Sequence, residues 1–405
     1  MVKFAALTLF LVATVQARNL KGKSTKAKTY PVQLGPRPYF MVNSMKDGEL
    51  KDKLSKCAEK KMDFEVSDWS IGHRGACMQF PEHTLESYEA ALHMGAGIIE
   101  CDVTFTKDRQ LICRHAQCDL HTTTDVVTRP EMNAKCTVPY TPGGSPKCCA
   151  SDFTLEEIKT LCAKMDSSDS GADSAEGYIG GVAPFRTTMY SNECPKVPTH
   201  MESIQLVQEY GAKFTPELKT PQVEMPYEGD YTQEDYAQQM VDEYVEAGVD
   251  PDDVWPQSFL WSDAVYWYKN TDFKQAVALE GTYTAYDYSE EEFNNHVADI
   301  VAAGVPYLAP PQWMLLDLDA DKKMIASDYT KYAKANGFDI ITWTLERSGP
   351  LVTGGGWYYQ SVTEATSVDG DQFELLHALQ TEVGIVGIFS DWPATTTFYA
   401  NCMGL

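Results

Sequence analysis

From Trp69 onward the chain alternates between two spacings of its apolar residues. "WSIGHRG" is a short apolar run that ends in a Gly-bounded loop, which predicts a strand. "TLESYEAALHMGA" places Leu85, Tyr88, Ala91 and Leu92 at helical spacing, with Thr84 as N-cap and Gly95 near the C-end. "GIIECDVTF" is the next strand. "LICRH", beyond the polar turn Lys107-Asp108-Arg109, is its hairpin partner, and "TLEEIKTLCAKM" predicts a helix capped by Thr154. Further on come helix "MESIQLVQEYG", strand "KFTPELK", helix "YAQQMVDEYVEAG", strands "DVWPQSF" and "QAVALEG", helix "SEEEFNNHVADIVAAG" and strand "VPYL". The last units are helix "SDYTKYAKANG", strand "DIITWTL", helix "QFELLHALQTEVG" and strand "GIFSD".

Eight main strands are thus expected, near Ile71, Glu100, Glu217, Val254, Val277, Tyr307, Ile341 and Phe389. Strands alternating with helices predict an α/β fold with a parallel sheet, and eight units favour a closed (β/α)8 TIM barrel with an inserted hairpin. No G-x-G-x-x-G follows an early strand, which disfavours an open dinucleotide-binding sheet. The rhythm breaks at about 166–196, where "DSSDSGADSAEGYIGG" reads as an acidic loop insertion. Before the barrel, the basic and polar stretch 18 to about 35 reads as a disordered leader, within an N-terminal arm spanning 18–62. Lys3, the apolar run "FAALTLFLVAT" and the small Ala17 read as a signal peptide over 1–17. The barrel domain is then 63–405.

Composition narrows the partners. The 405 residues are 43% hydrophobic, enough for a large core, and carry a formal net charge of -25. That balance excludes a nucleic-acid partner, because phosphate backbones are bound by Lys/Arg surfaces. No stretch is long and apolar enough for stable membrane insertion. Eleven cysteines, none at a zinc-ribbon spacing, fit disulfides in an oxidising, extracellular setting. The odd count leaves at least one free or paired between chains; connectivity and oligomeric state stay open.

The chemistry starts from Glu100 and Asp102. Alternate strand residues share a face, so Ile98, Glu100, Asp102 and Thr104 point one way and Ile99, Cys101, Val103 and Phe105 the other. The second set packs on helices; the first turns two carboxylates into the barrel or its mouth. Buried carboxylates need a cation, and hard cations such as Ca²⁺ and Mg²⁺ take oxygen ligands. Other strand ends add His73-Arg74, Arg114-His115, Glu217 and Lys219. Such a set suits phosphodiester cleavage: a divalent ion polarises phosphoryl oxygens, Arg74 and Lys219 neutralise others, and two histidines move protons.

The run "GHRGACMQFPEHTLESYEAALHMGAGIIECDVTFTKDRQLICRHAQCDLHTTT" resembles the signature of the glycerophosphodiester phosphodiesterases: HRG, then P-E-N-T, E-x-D, and H-D with a downstream Thr-rich stretch. "PELK", "IITWTL" and "VGIFSDWP" extend the resemblance over roughly Trp69 to Pro393. It implies a (β/α)8 barrel that uses Ca²⁺ or Mg²⁺ to hydrolyse glycerophosphodiesters to sn-glycerol 3-phosphate and an alcohol. It also implies Glu100, Asp102 and Glu217 as metal ligands, His73 and His115 as the catalytic pair, Arg74 and Lys219 at the phosphate, and Trp343 at the substrate mouth. The family's usual Asn, Asp and Arg are His83, Ala116 and His121 here; these departures are expected near the mouth and leave the alcohol open.

Two other readings stand beside this one. The same barrel could act as a phospholipase D-like enzyme on sphingomyelin or lysophospholipids, for which "GGGWYYQ" at 354–360 is a candidate membrane-touching loop; otherwise that stretch is a Gly-rich turn with packed aromatics. A non-catalytic binding barrel is opposed by the intact set of His73, His115, Glu100, Asp102 and Glu217.

Overall fold

The computed structural model describes residues 27–61 and 63–405. The expected signal peptide and the first part of the arm lie outside them. The strands, in chain order, are β1 (Ser67–Gly72), β2 (Ala96–Phe105), β3 (Leu111–Cys113), β4 (Lys213–Leu218), β5 (Gln257–Ser258) and β6 (Val277–Leu279). They continue with β7 (Tyr307–Ala309), β8 (Leu316–Leu318), β9 (Met324–Ala326), β10 (Asp339–Thr342) and β11 (Gly387–Ser390). Eight of them run parallel in the order β1-β11-β10-β7-β6-β5-β4-β2, and β1 pairs again with β2, which closes the barrel. The expected hairpin is β3, antiparallel on β2. The short pair β8–β9 forms a separate sheet. Val254 falls just before β5 and makes a single parallel bridge to Phe214.

The two faces of β2 separate as the alternation requires. Ile98 joins Ile71, Val277, Leu279, Ala309, Ile341 and Phe389 inside the barrel. Ile99, Cys101, Val103 and Phe105 join the larger core between strands and helices. Helix ends follow their local chemistry. The Thr84 hydroxyl accepts from Ser87 N at the start of Leu85–His93, and Gly211 and Gly248 end His200–Tyr210 and Gln233–Ala247 in left-handed backbone.

Four features depart from expectation. The arm is not wholly irregular: helices Arg37–Ser44 and Glu49–Lys60 precede Trp69, bury Met41, Val42 and Leu54, and are tied to the C-terminus by Cys57–Cys402. The first bunches its apolar residues, Tyr39 to Val42, into one short run and the second carries few, so neither shows a helical period. Helix Trp261–Asn270 fills the gap between β5 and β6, and helix Ala394–Met403 closes the chain; their aromatic and Thr-rich sequences favour strand locally, and burial overrides that. The predicted helix after Thr154 stops at Ile158, although its capping box with Glu157 is present. The insertion is also larger than its acidic part. Residues 114–199, from the end of β3 to helix His200–Tyr210, form one excursion with its own apolar cluster around Leu120, Phe153, Ile158 and Leu161. No helix among the described residues is long and apolar enough to cross a membrane.

Candidate active site

The C-terminal ends of the barrel strands surround a cavity of about 380 Å³. Its lining includes His73, Arg74, Glu100, His115, Glu217, Lys219 and Trp343, so seven of the eight residues singled out from the sequence meet there. The eighth, Asp102, is buried directly behind them, with Glu217 opposite it in the β2–β4 register.

β1 delivers His73 and then turns sharply. Arg74 and Gly75 have left-handed backbone, and a Cβ on Gly75 would stand 2.6 Å from the Ser87 carbonyl carbon. The turn aims the Arg74 backbone N–H at Glu100 Oε2, 3.0 Å away. Glu100 Oε1 accepts from Gln257 Nε2 on β5 at 3.1 Å. The ligand-type oxygens of Glu100, Asp102 and Glu217 lie within 4.8 Å of one another.

Burial and mutual repulsion dominate this trio. Burial, then the neighbouring Asp102 and Glu217, push the Glu100 carboxyl well up. Burial raises Glu217 to about 8 against the pull of Lys219. Burial also opposes charge on Asp102, but Lys219 and His83 together hold its carboxyl well below the usual range. Asp102 Oδ2 accepts from His83 Nε2 at 2.7 Å, while the buried Oδ1 has no hydrogen-bond partner. Three facing carboxylates, two of them favouring protonation and two, Asp102 and Glu217, with an oxygen that no hydrogen bond reaches, are what a divalent, oxygen-seeking cation would satisfy. The residues therefore fit such an ion.

The histidines are held differently. His73 Nδ1 bonds Asp391 at the end of β11, and Nε2 lies 3.8 Å from Glu100 Oε2. Burial lowers the His73 pKa against the pull of Asp391. His115 begins the excursion; burial, then Arg74 and Lys219, depress it strongly. Burial would lower Lys219 too, but Glu217 and Asp102 keep it charged.

Sequence reasoning missed a second layer. Glu82 accepts from Arg74 Nη1 at 3.0 Å and Arg347 Nη2 at 3.1 Å, and despite burial these cations hold its carboxyl well below the usual range. Arg347 also reaches Asp166 Oδ2 at 3.3 Å and Asp391 Oδ2 at 3.8 Å. Asp391 and Arg347 follow β11 and β10, so the strand-end rule that found Lys219 would have found them. Asp166 comes from the acidic insertion and carried no such signal. Arg114, by contrast, does not line the cavity: it is fully buried and donates to the Glu82 and His83 carbonyls at 2.7 and 3.0 Å. Nor do the family departures gather at the mouth. His83 is buried under Asp102, and His121 Nδ1 accepts from Cys148 N in the excursion. Ala116 alone lines space next to His115.

A closed (β/α)8 barrel whose strand ends carry acids, histidines and cations is the frame of a barrel hydrolase. The chain belongs to the glycerophosphoryl diester phosphodiesterase family, whose sequence model matches residues 73–395. That makes it a phosphoric diester hydrolase. It is 41% identical over 246 residues to an "extracellular protein" of Arthroderma benhamiae, covering 60% of this chain and 100% of that one. It is 32% identical over 169 residues to a glycerophosphodiester phosphodiesterase of Arabidopsis thaliana, covering 41% of each. The fold matches the crystal structure of a putative glycerophosphoryl diester phosphodiesterase from Silicibacter pomeroyi with a TM-score of 0.56, at 20% identity over 84% of this chain and 95% of that one.

Proposed function

We propose that the protein is a secreted, metal-dependent enzyme that hydrolyses glycerophosphodiesters to sn-glycerol 3-phosphate and an alcohol. The observation that carries this reading is the trio Glu100, Asp102 and Glu217, whose ligand-type oxygens lie within 4.8 Å of one another, at a cavity lined by Arg74, Lys219 and two histidines. The trio would hold Ca²⁺ or Mg²⁺, which supplies Lewis-acid polarisation of phosphoryl and hydroxyl oxygens. Arg74 and Lys219 neutralise the phosphate oxygens. Trp343 borders the substrate at the mouth.

Asp391 accepts a hydrogen bond from His73 Nδ1–H, so the lone pair sits on Nε2, facing the acid trio. His73 Nε2 accepts the proton of the glycerol hydroxyl next to the phosphodiester as that oxygen bonds to phosphorus. The bond from phosphorus to the leaving alcohol breaks, and His115, protonated once the anionic phosphodiester offsets Arg74 and Lys219, gives its proton to that alcohol. Water then opens the cyclic phosphate with the proton roles reversed, giving glycerol 3-phosphate. A diacyl phospholipid lacks the free hydroxyl and is expected to be inert. Secretion agrees with the five disulfides.

The test is phosphorus NMR of glycerophosphocholine, lysophosphatidylcholine and sphingomyelin turnover before and after EDTA, with Ca²⁺ or Mg²⁺ restored. Loss on chelation, recovery on addition and preference for the deacylated diester are expected. Full activity in enzyme shown metal-free by elemental analysis would overturn the metal dependence. A preference for sphingomyelin or lysolipid would move the assignment to the phospholipase D-like reading.

A further inference from the structure

The cavity lining is both charged and aromatic, and the two meet where Lys219 Nζ stands 5.8 Å from the Phe259 ring centroid. Phe259, Tyr283, Trp343, Trp357 and Tyr358 line it together, and Leu279 is the sole aliphatic side chain among its lining residues. The rings meet as corners. Trp357 stands at 84° to Tyr358 and 77° to Tyr283, with centroids 5.0 and 5.1 Å apart. Trp343 stands at 76° to Tyr358 and 88° to Phe259, at 6.0 and 5.9 Å. The framework fixes them: the Trp343 indole N–H donates to Ala309 O at 2.9 Å, and next to Tyr358 the buried Tyr359 hydroxyl donates to Leu345 O at 2.7 Å. "GGGWYYQ" is thus a packed turn whose Trp357, 40% exposed, reaches the cavity rim.

We propose that this aromatic box receives a quaternary ammonium group on the leaving alcohol, so that choline esters are the preferred glycerophosphodiesters. The proposal rests on the phosphodiesterase reading above and names its substrate class. Aromatic faces attract cations through the ring quadrupole, and a trimethylammonium group, having no N–H, forfeits no hydrogen bond by leaving water for such walls. A primary ammonium or a polyhydroxy alcohol would need acceptors or donors. In the box the Trp343 N–H is engaged and Asp166, which also lines the cavity, is paired with Arg347, which leaves neutral hydroxyls, those of Tyr283 and Tyr358, and no unpaired carboxylate among the rings. Whole-molecule charge acts in the same direction. A chain of formal net charge -25 repels anionic glycerophosphodiesters more than a zwitterionic choline ester.

The experiment compares kcat/KM for glycerophosphocholine with three other diesters: its isostere bearing an uncharged 3,3-dimethylbutyl group, glycerophosphoethanolamine and glycerophosphoglycerol. The isostere has the shape without the cationic charge, and the Trp357 variants, which leave the chain's net charge unchanged, separate the box from whole-molecule repulsion of the isostere's anion. The choline ester is expected to exceed the isostere by about 10-fold, the equivalent of about 1.4 kcal/mol. Trp357→Leu should cut that ratio to about 2-fold or less, whereas Trp357→Phe, which keeps a ring face, should retain most of it. Equal turnover of choline ester and isostere, or a ratio unmoved in both Trp357→Leu and Tyr283→Leu, overturns the proposal. Lysophosphatidylcholine serves as a further arm: if it outruns glycerophosphocholine with the same Trp357 dependence, the box stands and the glycerophosphodiesterase assignment falls. Failure to cleave any of these esters overturns both.

Discussion

The barrel and the excursion at 114–199 reach a defined structure by different means. The barrel takes its order from repetition: eight parallel strands, helices of up to 15 residues, and one apolar core running from Leu34 to Ala400. The excursion has only three- and four-residue helical turns and a small cluster of its own. It holds three of the five disulfides, Cys118–Cys149, Cys136–Cys148 and Cys162–Cys194. A segment that buries little apolar surface per residue gains stability by covalent restriction of its unfolded state. Yet both regions supply the cavity: the barrel gives the acids and His73, while the excursion gives His115 and Asp166 and anchors Arg186 to the Cys77 carbonyl at 2.7 Å. The remaining cysteine, Cys77, is buried and unpaired beside Arg347. Rigid strands thus place the charges, and a stapled loop bounds the space around them.

The largest effects are expected where the two regions meet. Glu100→Gln, on a barrel strand, should lose bound metal and turnover together. His115→Ala, at the root of the excursion, should keep the metal and lose activity by about 10³-fold, in the range of a lost proton-transfer group. Metal content by elemental analysis beside turnover separates them, and near-wild-type turnover in His115→Ala would remove that residue from the chemistry.

Breaking the staple should come next. Cys162 and Cys194 close a separation of 32 residues, worth about 3.7 kcal/mol by chain entropy. The double Ser variant is expected to lose hydrogen-exchange protection across 114–199 while the barrel strands keep theirs. Equal loss in both regions would show that they unfold as one unit.

A smaller, pH-dependent contrast sits on Asp119 in the excursion, whose carboxyl burial pushes up to about 7. A raised folded-state value means the native state holds the proton more tightly than the unfolded one. The contribution is therefore present below the unfolded value of about 4 and is lost as pH rises to about 7, at up to about 1.4 kcal/mol per pH unit. Denaturant melts from pH 4 to 8 should show a shallower decline in Asp119→Asn.

The smallest effects are the helix caps. Thr84→Ala in the barrel and Thr154→Ala in the excursion each remove a side-chain acceptor for a backbone N–H, costing about 1 kcal/mol. If the Thr154 change is silent, the cap of that single-turn helix adds nothing to a segment already fixed by its disulfides.

The site was legible in proportion to how far each residue's position follows from strand geometry. Glu100, Asp102, Glu217 and Lys219 occupy strands or strand ends whose alternation fixes where they point. His83 did not, because its role depends on a left-handed turn that folds it under Asp102. Arg114 reads like a strand-end cation, and only the packing shows it turned inward to hold the Glu82 and His83 carbonyls.

By itself, then, the sequence determined the period: eight strands, the helices between most of them, and the face on which the acids lie. Those are local properties, set by alternation and capping within a few residues of each position. Tertiary structure decided what local patterning cannot encode. It paired ten of eleven cysteines, pressed the aromatic helix Trp261–Asn270 and the Thr-rich helix Ala394–Met403 into place against their strand propensity, and brought Glu82, Asp166, Arg347 and Asp391 into one ionic layer. The physical reason is distance along the chain. Burial and charge pairing act through space, between residues as far apart as Glu82 and Asp391, and only closure of the barrel brings them together.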